Sequence, residues 1–217
     1  MIVLVTIGSR SPTAGSPSAR AIPLNVLLTV STNLPSVSRK VLSAEAERIW
    51  RSEGVDIEWS VPGLAAEASD APLRVMVVAR PSPTARTTTK WPVAELIPDA
   101  TPRALAIASI TSAQRVVDEA ARSAMLAPGA PADYRLGLVL GRAVAHEIGH
   151  FLLSTGTHAR SGLMRASVDA QEFTAMGGAA FRLDGDASRW LRQTLDTSPT
   201  EAMMVRADGF SYAHQGR

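Results

Sequence analysis

The sequence predicts an α/β-like domain in which a sheet packs against a long amphipathic helix. Three apolar segments rich in strand formers lie at residues 24–30, 55–61 and 73–79, and a helical pattern separates the first two. The order strand, helix, strand, strand is typical of layered elements joined by a right-handed crossover. A longer helical pattern, from Asp133 as N-cap to about Leu153, carries an apolar row for the core.

The first predicted elements have clear signals at their ends. Pro23 and the turn-forming residues 31–33 bound the first strand. The helix that follows begins at Ser36 or Ser38, and Gly54 ends it. The second strand alternates apolar and polar residues, which indicates that only one of its faces is buried.

The middle of the chain is less regular. Residues 80–102 contain five prolines and predict an irregular surface excursion. Residues 104–110 predict a fourth strand, although their alanines leave a short helix as the alternative. Residues 112–127 are compatible with either a helix or an extension of the sheet. Residues 186–195 predict a last helix, and the tail from Ser198 is expected to pack poorly.

Composition excludes several classes of function. The 217 residues are 46% hydrophobic and 19% charged, as in an ordinary globular domain. The formal net charge is +2 without a block of like charges, so neither nucleic acid nor an anionic membrane is an expected partner. Because the chain has no cysteine, disulfides, cysteine-rich zinc ribbons and cysteine nucleophiles are excluded. We expect a flexible N-terminus (1–22), one monomeric domain (23–196) and a tail (197–217).

The N-terminal residues leave the compartment open. Residues 1–7 are apolar, but they are too short to span a bilayer and have no basic residues ahead of them. Residues 18–21 loosely resemble a small-residue cleavage site, so a flexible terminus and a shortened secretion signal are both compatible. We expect a secreted or periplasmic bacterial protein without a transmembrane segment, with the cytoplasm as the alternative.

Three of the four histidines fall within residues 146–164. Residues 146–150 read HEIGH, which is the H-E-x-x-H signature of zinc metallopeptidases. Positions i and i+4 lie on one face of a helix, about 6 Å apart along its axis, so His146 and His150 can reach one ion. Glu147 is rotated by about 100° from His146, where it can act on a metal-bound water.

A catalytic zinc site usually has three protein ligands, so His146 and His150 need a third ligand beside them. His158 is of the preferred type and follows His150 by eight residues. Gly156 can end the helix in a left-handed conformation and turn the chain back toward the ion. The sequence therefore offers His158 as the third ligand of a zinc site.

The same stretch resembles the metzincin clan of zinc endopeptidases, and most of all its matrixin-type and related bacterial members. The clan motif is H-E-x-x-H-x-x-G-x-x-H followed by a methionine turn. His146, Glu147 and His150 match its first part, and residues 161–164 (SGLM) resemble the methionine turn. The resemblance implies that Met164 forms a hydrophobic base beneath the ligands without binding the metal.

The resemblance also implies a fold and a mode of substrate binding. Residues 44–50 and 54–59 resemble the helix-to-strand start of the clan's catalytic domain. The implied fold is α+β, a twisted mixed sheet of four to five strands packed on a long active-site helix, with a C-terminal helix. A peptide substrate would pair with an exposed sheet edge, for which residues 104–110 are the candidate.

The chain departs from the clan motif between the second and third histidines. Leu153 stands where the motif has glycine, and Gly156 stands where it has the third histidine. A turn that is two residues longer restores a ligand at His158. The alternative is a carboxylate ligand as in thermolysin-like enzymes, supplied by Glu172 or, less favourably, by Asp169.

The predicted function is zinc-dependent endopeptidase activity. Zinc lowers the pKa of its bound water to about 7, and Glu147 accepts the proton as the water attacks and then returns it to the leaving amine. The alternative is a non-catalytic protein that keeps zinc for folding or binding, although such a site has no need of Glu147. Arg142, one turn before His146, either forms a salt bridge with a neighbouring acid, which is the favoured interpretation, or steers a substrate carboxylate.

Overall fold

Five strands form one mixed sheet, which confirms the predicted fold class. In chain order they are β1 (Ile22–Val30), β2 (Val55–Ser60), β3 (Leu73–Val78), β4 (Ala94–Pro98) and β5 (Ala104–Ser109). The spatial order is β2-β1-β3-β5-β4, where β4 runs antiparallel to β5 and the other neighbours are parallel. β2 and β4 are therefore the edges of this sheet.

The computed structural model describes residues 21–30, 34–61, 71–79, 92–98, 104–123 and 130–197. The expectations of a secretion signal, of a flexible N-terminal segment and of a poorly packed tail fall almost entirely outside these residues. Those expectations stay predictions.

Five α-helices accompany the sheet in the described part of the chain, together with a 3-10 helix at Ala179–Phe181. The α-helices are α1 (Ser36–Arg51), α2 (Ile110–Ser123), α3 (Ala132–Leu153), α4 (Ala170–Thr174) and α5 (Gly185–Thr197). α1, α3 and α5 lie where the sequence predicts helices. Of the two conformations that the sequence left open for residues 112–127, α2 shows the helix for residues 112–123, and residues 124–127 lie outside the described residues. The short helix α4 was not predicted, and Asp169 caps it by accepting a hydrogen bond from the Glu172 N–H.

Three local predictions are wrong. The five-residue strand β4 lies inside the region predicted to be irregular. Pro92 and Pro98 flank or end it and favour the irregular prediction, but an edge strand tolerates proline. Residues 104–110 do not offer a free edge, because β5 pairs with β3 on one side and with β4 on the other. Asp133 is not the N-cap of α3, since Pro131 precedes the helix and makes no side-chain capping bond.

A row of small residues on α3 brings this helix close to α1. The row recurs every four residues and consists of Gly137, Gly141, Ala145 and Gly149. A Cβ atom at Gly137 would lie 2.6 Å from the Cβ of Val41, and one at Gly141 would lie 2.7 Å from the Leu42 carbonyl oxygen. The two helices therefore approach each other to a distance that a side chain at Gly137 or Gly141 would not allow.

Hydrogen bonds tie α1 to α3 near both ends of α1. The Ser38 hydroxyl donates to the Asp133 carbonyl at 2.8 Å. The indole N–H of Trp50, which is fully buried, donates to the Ala145 carbonyl at 3.1 Å. The helix that carries His146 and His150 is thus held in a defined position against the rest of the core.

α3 is buried on more than one face. Its length and composition would allow it to cross a membrane, but 83% of its most apolar stretch is buried within the fold. The predicted apolar row at positions 140, 144, 148 and 152 is in the core. Arg142 and His150 lie on another side of the helix and are also buried, at 1% and 6% exposed.

We expect Gly141→Ala to lower the free energy of unfolding by about 1–3 kcal/mol, because the added methyl group would overpack the helix contact. Its Cβ would lie 2.7 Å from the Leu42 carbonyl oxygen and 2.9 Å from the Glu45 Cβ. Urea unfolding measures the effect. Gly185→Ala is the control, since nothing lies within 4 Å of its Cβ position. Equal urea midpoints for Gly141→Ala and wild type would contradict the close contact.

Candidate metal centre

The structure brings three histidines to one place. One ring nitrogen from each of His146, His150 and His158 lies within 4.8 Å of the other two. The first two come from α3, and the third comes from the segment after it. Nitrogen ligands about 2.0–2.1 Å from a tetrahedral zinc ion lie about 3.3 Å from one another. The Nε2 atoms of His146 and His150 are 3.0 Å apart, which is close to that spacing.

Two backbone carbonyls orient the rings of His146 and His150. The Nδ1 atom of His146 lies 2.7 Å from the Leu163 oxygen, and the Nδ1 atom of His150 lies 2.6 Å from the Thr155 oxygen. A carbonyl can only accept, so each Nδ1 carries the proton and each Nε2 presents a lone pair. Metal-binding histidines commonly donate their outer N–H to a carbonyl in this way. The donor set therefore fits a metal ion.

The chain turns at Ser154 rather than at Gly156, which corrects the prediction for the end of α3. Ser154 has φ 47° and ψ 44°, a left-handed conformation, and Gly156 is not among the described residues with positive φ. The Thr155 N–H then donates to the His150 carbonyl at 3.3 Å. The reversal has to precede Thr155, because the carbonyl of this residue must face the His150 ring.

Met164 packs against α3 beside the second histidine. Its side chain is 3% exposed, and its Sδ atom lies so close to Gly149 that it would overlap a Cβ atom there. Gly149 is an unspecified position of the H-E-x-x-H motif, so the motif predicts no role for it. Its place in the four-residue row of small residues was the available signal.

A tight turn holds Leu163 and Met164 in place. Gly162 has φ 76°, and a Cβ atom there would overlap the Arg182 carbonyl oxygen. The Leu163 N–H donates to this same oxygen at 2.7 Å, and the Ala159 N–H donates to the Met164 oxygen at 2.8 Å. The turn thereby fixes the carbonyl that orients the first histidine.

Glu147 is buried beside the edge strand β4. Its side chain is 6% exposed, and its carboxyl group forms a hydrogen bond with the backbone of Leu96. Burial, with a smaller contribution from the charge of Glu95, raises the pKa of Glu147 to about 8 although the Leu96 bond lowers it. A cation bound by the adjacent histidines would favour the ionised carboxylate.

Burial also keeps the histidines neutral. It lowers the pKa of His146 to about 4, with help from His150 and His158 and against the hydrogen bond to Leu163. Burial likewise lowers the pKa of His150 and of His158. Neutral imidazole is the form that binds metals. At neutral pH the cluster therefore offers three uncharged nitrogen donors.

Arg142 forms a buried salt bridge, which confirms the favoured interpretation of this residue. Its Nε lies 2.7 Å from the Glu45 carboxylate, and its guanidinium lies 4.4 Å from the centre of the Phe181 ring. Because Arg142 is only 1% exposed, it has no access to a substrate carboxylate.

Glu172, the alternative third ligand, lies in an ion pair. Both of its carboxylate oxygens bind Arg165, at 2.8 and 3.1 Å. The group of potential metal ligands in the described part of the chain contains three histidines and neither Glu172 nor Asp169. The geometry therefore favours His158 as the third donor.

The described fold thus places a candidate metal centre of three histidines on α3 and on the segment that follows it. No protein-family model and no curated protein matches the sequence. Among solved structures, the chain is similar to archaemetzincin from Methanopyrus kandleri, with a TM-score of 0.50 and 12% identity. The match covers 83% of this chain and 98% of that chain. At this identity the likeness concerns the fold, and it favours no matrixin-type member in particular.

We expect Ser154→Gly to raise the free energy of unfolding by about 0.5–1 kcal/mol, because glycine adopts the left-handed conformation without the steric cost of a Cβ atom. Thermal or urea unfolding of the metal-free protein measures it. Ser154→Val should have the opposite sign, since a β-branched residue is strained there. A destabilising Ser154→Gly would contradict the assigned turn.

Glu45→Gln should lower the free energy of unfolding at pH 7 by about 3 kcal/mol, because it leaves the buried Arg142 without a charged partner. Burial raises the pKa of Glu45, but hydrogen bonds and charges from Arg48 and Arg142 bring it below the ordinary 4.5. The carboxylate therefore stabilises the fold above about pH 4.5, and this contribution is lost as the pH falls through the lowered pKa.

Urea unfolding of wild type and Glu45→Gln between pH 3 and pH 7 tests this dependence, and the two curves should converge at the acid end. Glu47→Gln is the control, because Glu47 pairs with the exposed Arg51 at 3.5 Å and should contribute less than about 1 kcal/mol. A difference between wild type and Glu45→Gln that is independent of pH would refute the assignment.

Proposed function

We propose that this protein is a zinc-dependent metallopeptidase that hydrolyses peptide bonds. His146, His150 and His158 would bind the zinc ion, and Glu147 would act as the general base. The observation that carries the proposal is the convergence of three neutral histidines, two of them oriented by backbone carbonyls, next to a buried glutamate. The metzincin-like fold agrees with this function.

The residues divide the chemistry among them. A zinc ion held by three histidines supplies Lewis-acid chemistry, which acidifies water and polarises a carbonyl group. Glu147 accepts a proton from the attacking water as the new C–O bond forms. It then gives this proton to the leaving amine as the C–N bond breaks. Its burial keeps bulk water from taking the proton between the two steps.

The edge strand β4 is the place where we expect a substrate to bind. It has β5 on one side, and no described strand pairs with its other side. The backbone of Leu96, in the middle of β4, contacts the carboxyl group of Glu147. An extended peptide that added a strand here would pass the general base, and main-chain hydrogen bonds would supply much of its affinity.

We expect Glu147→Gln to bind zinc as wild type does and to cleave peptides about 10²–10⁴ times more slowly, because the amide cannot accept the proton. Zinc content by mass spectrometry and cleavage of a diverse library of fluorogenic peptides measure the two effects. Glu47→Gln, which removes the ion pair with the exposed Arg51 on α1, is the control for both. Undiminished cleavage by Glu147→Gln would rule out the mechanism.

His158→Ala should weaken zinc binding by more than about 100-fold, since even the loss of an outer-shell partner costs about 10–100-fold. Competition with a chromophoric chelator measures the affinity. Wild-type affinity in His158→Ala would refute the ligand assignment. If the wild-type protein binds zinc but cleaves no peptide of the library, the non-catalytic alternative replaces the peptidase.

A further inference from the structure

Glu172 is the residue at which two arginines meet. Its backbone carbonyl accepts a hydrogen bond from Nη1 of Arg142 at 3.2 Å. Its carboxylate accepts two hydrogen bonds from Arg165, at 2.8 and 3.1 Å. Its own N–H donates to the Asp169 side chain at 2.8 Å. The N–H, the carbonyl and the carboxylate of Glu172 thus each have a partner on a different residue.

Arg142 anchors this part of the chain to the helical core. Besides Glu172, it donates to the Phe173 carbonyl at 2.9 Å and to the Gly177 carbonyl at 3.0 Å. Its Nε donates to the Glu45 carboxylate at 2.7 Å. Since Glu45 belongs to α1 and Arg142 to α3, the segment 172–177 is held by the two packed helices.

Arg165 connects the anchored segment to the turn at the histidines. Its Nε donates to the Gly162 carbonyl at 3.1 Å while its two terminal nitrogens hold the Glu172 carboxylate. Leu163 follows Gly162, and its carbonyl accepts the Nδ1 proton of His146 at 2.7 Å. One guanidinium group therefore reaches from the anchored segment to the turn that orients His146.

We propose that Arg165 and Glu172 are positioning residues for His146, and this inference rests on the proposed metal site. A guanidinium fork has a rigid, planar arrangement of donors, so it fixes the turn against Glu172 in one geometry. Without the fork, the turn keeps its backbone hydrogen bonds, including the one from Leu163 to Arg182, but loses its connection to the anchored segment, so the Leu163 carbonyl can shift relative to the His146 ring. Loss of such an outer-shell partner weakens metal binding by about 10–100-fold.

If Arg165 and Glu172 only stabilised the fold, replacing them would lower the urea midpoint of the metal-free protein. The side chains of Arg165 and Glu172 are 22% and 30% exposed, and ion pairs of this kind contribute little to stability. Removing the pair should therefore leave the urea midpoint of the metal-free protein close to the wild-type value. The effect of the pair on the metal site should be larger than its effect on folding.

Three variants and one control test the proposal: Arg165→Gln, Arg165→Lys, Glu172→Gln and, as the control, Arg189→Gln. The control removes an exposed ion pair between Arg189 and Asp186 on α5. Three measurements apply to each protein: the zinc dissociation constant from chelator competition, the urea midpoint of the metal-free form, and the tautomer of His146 in the metal-free form from ¹⁵N NMR. The last measurement needs no bound zinc.

Arg165→Gln should weaken zinc binding by about 10-fold or more and shift His146 away from its Nδ1–H tautomer, with the urea midpoint nearly unchanged. Arg165→Lys should recover part of the affinity, because lysine keeps the charge without the fork. Glu172→Gln should change both readouts in the same direction, since an amide has one acceptor oxygen instead of two. Arg189→Gln should match wild type in all three.

Wild-type zinc affinity together with a wild-type His146 tautomer in Arg165→Gln would overturn the proposal. It would also be overturned if the loss of affinity merely followed a large fall of the urea midpoint. If the wild-type protein bound no zinc, the proposed function would fail. The tautomer of His146 in the metal-free variants would still decide whether Arg165 positions this ring.

Discussion

The close contact between α1 and α3 is the constraint on which the site depends. Gly137 and Gly141 let the helices approach, and this approach buries Arg142 together with Glu45. A buried guanidinium is tolerated only where its charge and its N–H groups are satisfied. Arg142 meets that condition with one carboxylate and three backbone carbonyls, and those carbonyls belong to the segment that follows the turn at Gly162. Helix packing and site assembly are therefore coupled through one side chain.

The candidate centre combines a rigid element with two turns. α3 sets the spacing of His146 and His150, because their separation is a property of the helix itself. The turns at Ser154 and Gly162 supply the carbonyls of Thr155 and Leu163, which determine how the two rings are oriented. Ligand position and ligand orientation thus come from different parts of the chain, and the orientation depends on contacts that hold the turns.

Some features were predictable because they depend on neighbouring residues alone. The helix 132–153, the strand-like patterns and the H-E-x-x-H pair follow from local periodicity. The strand at 94–98 did not follow from periodicity, since Pro92 before it and Pro98 at its end are typical of irregular segments and its pairing partner is β5. The interior position of residues 104–110 in the sheet was not predictable either, because the order of strands depends on contacts between strands and not on the sequence of any single strand.

By itself, the sequence determined the class of fold, the helix that carries the first two histidines, and the glutamate beside them. Only the tertiary structure decided which residue accompanies the histidine pair. Spacing allowed both His158 and Glu172, but the left-handed turn at Ser154 brings the former to the cluster, and Arg165 holds the carboxylate of the latter. The physical reason is that ion pairs and backbone hydrogen bonds between separate segments form only once the helices have packed.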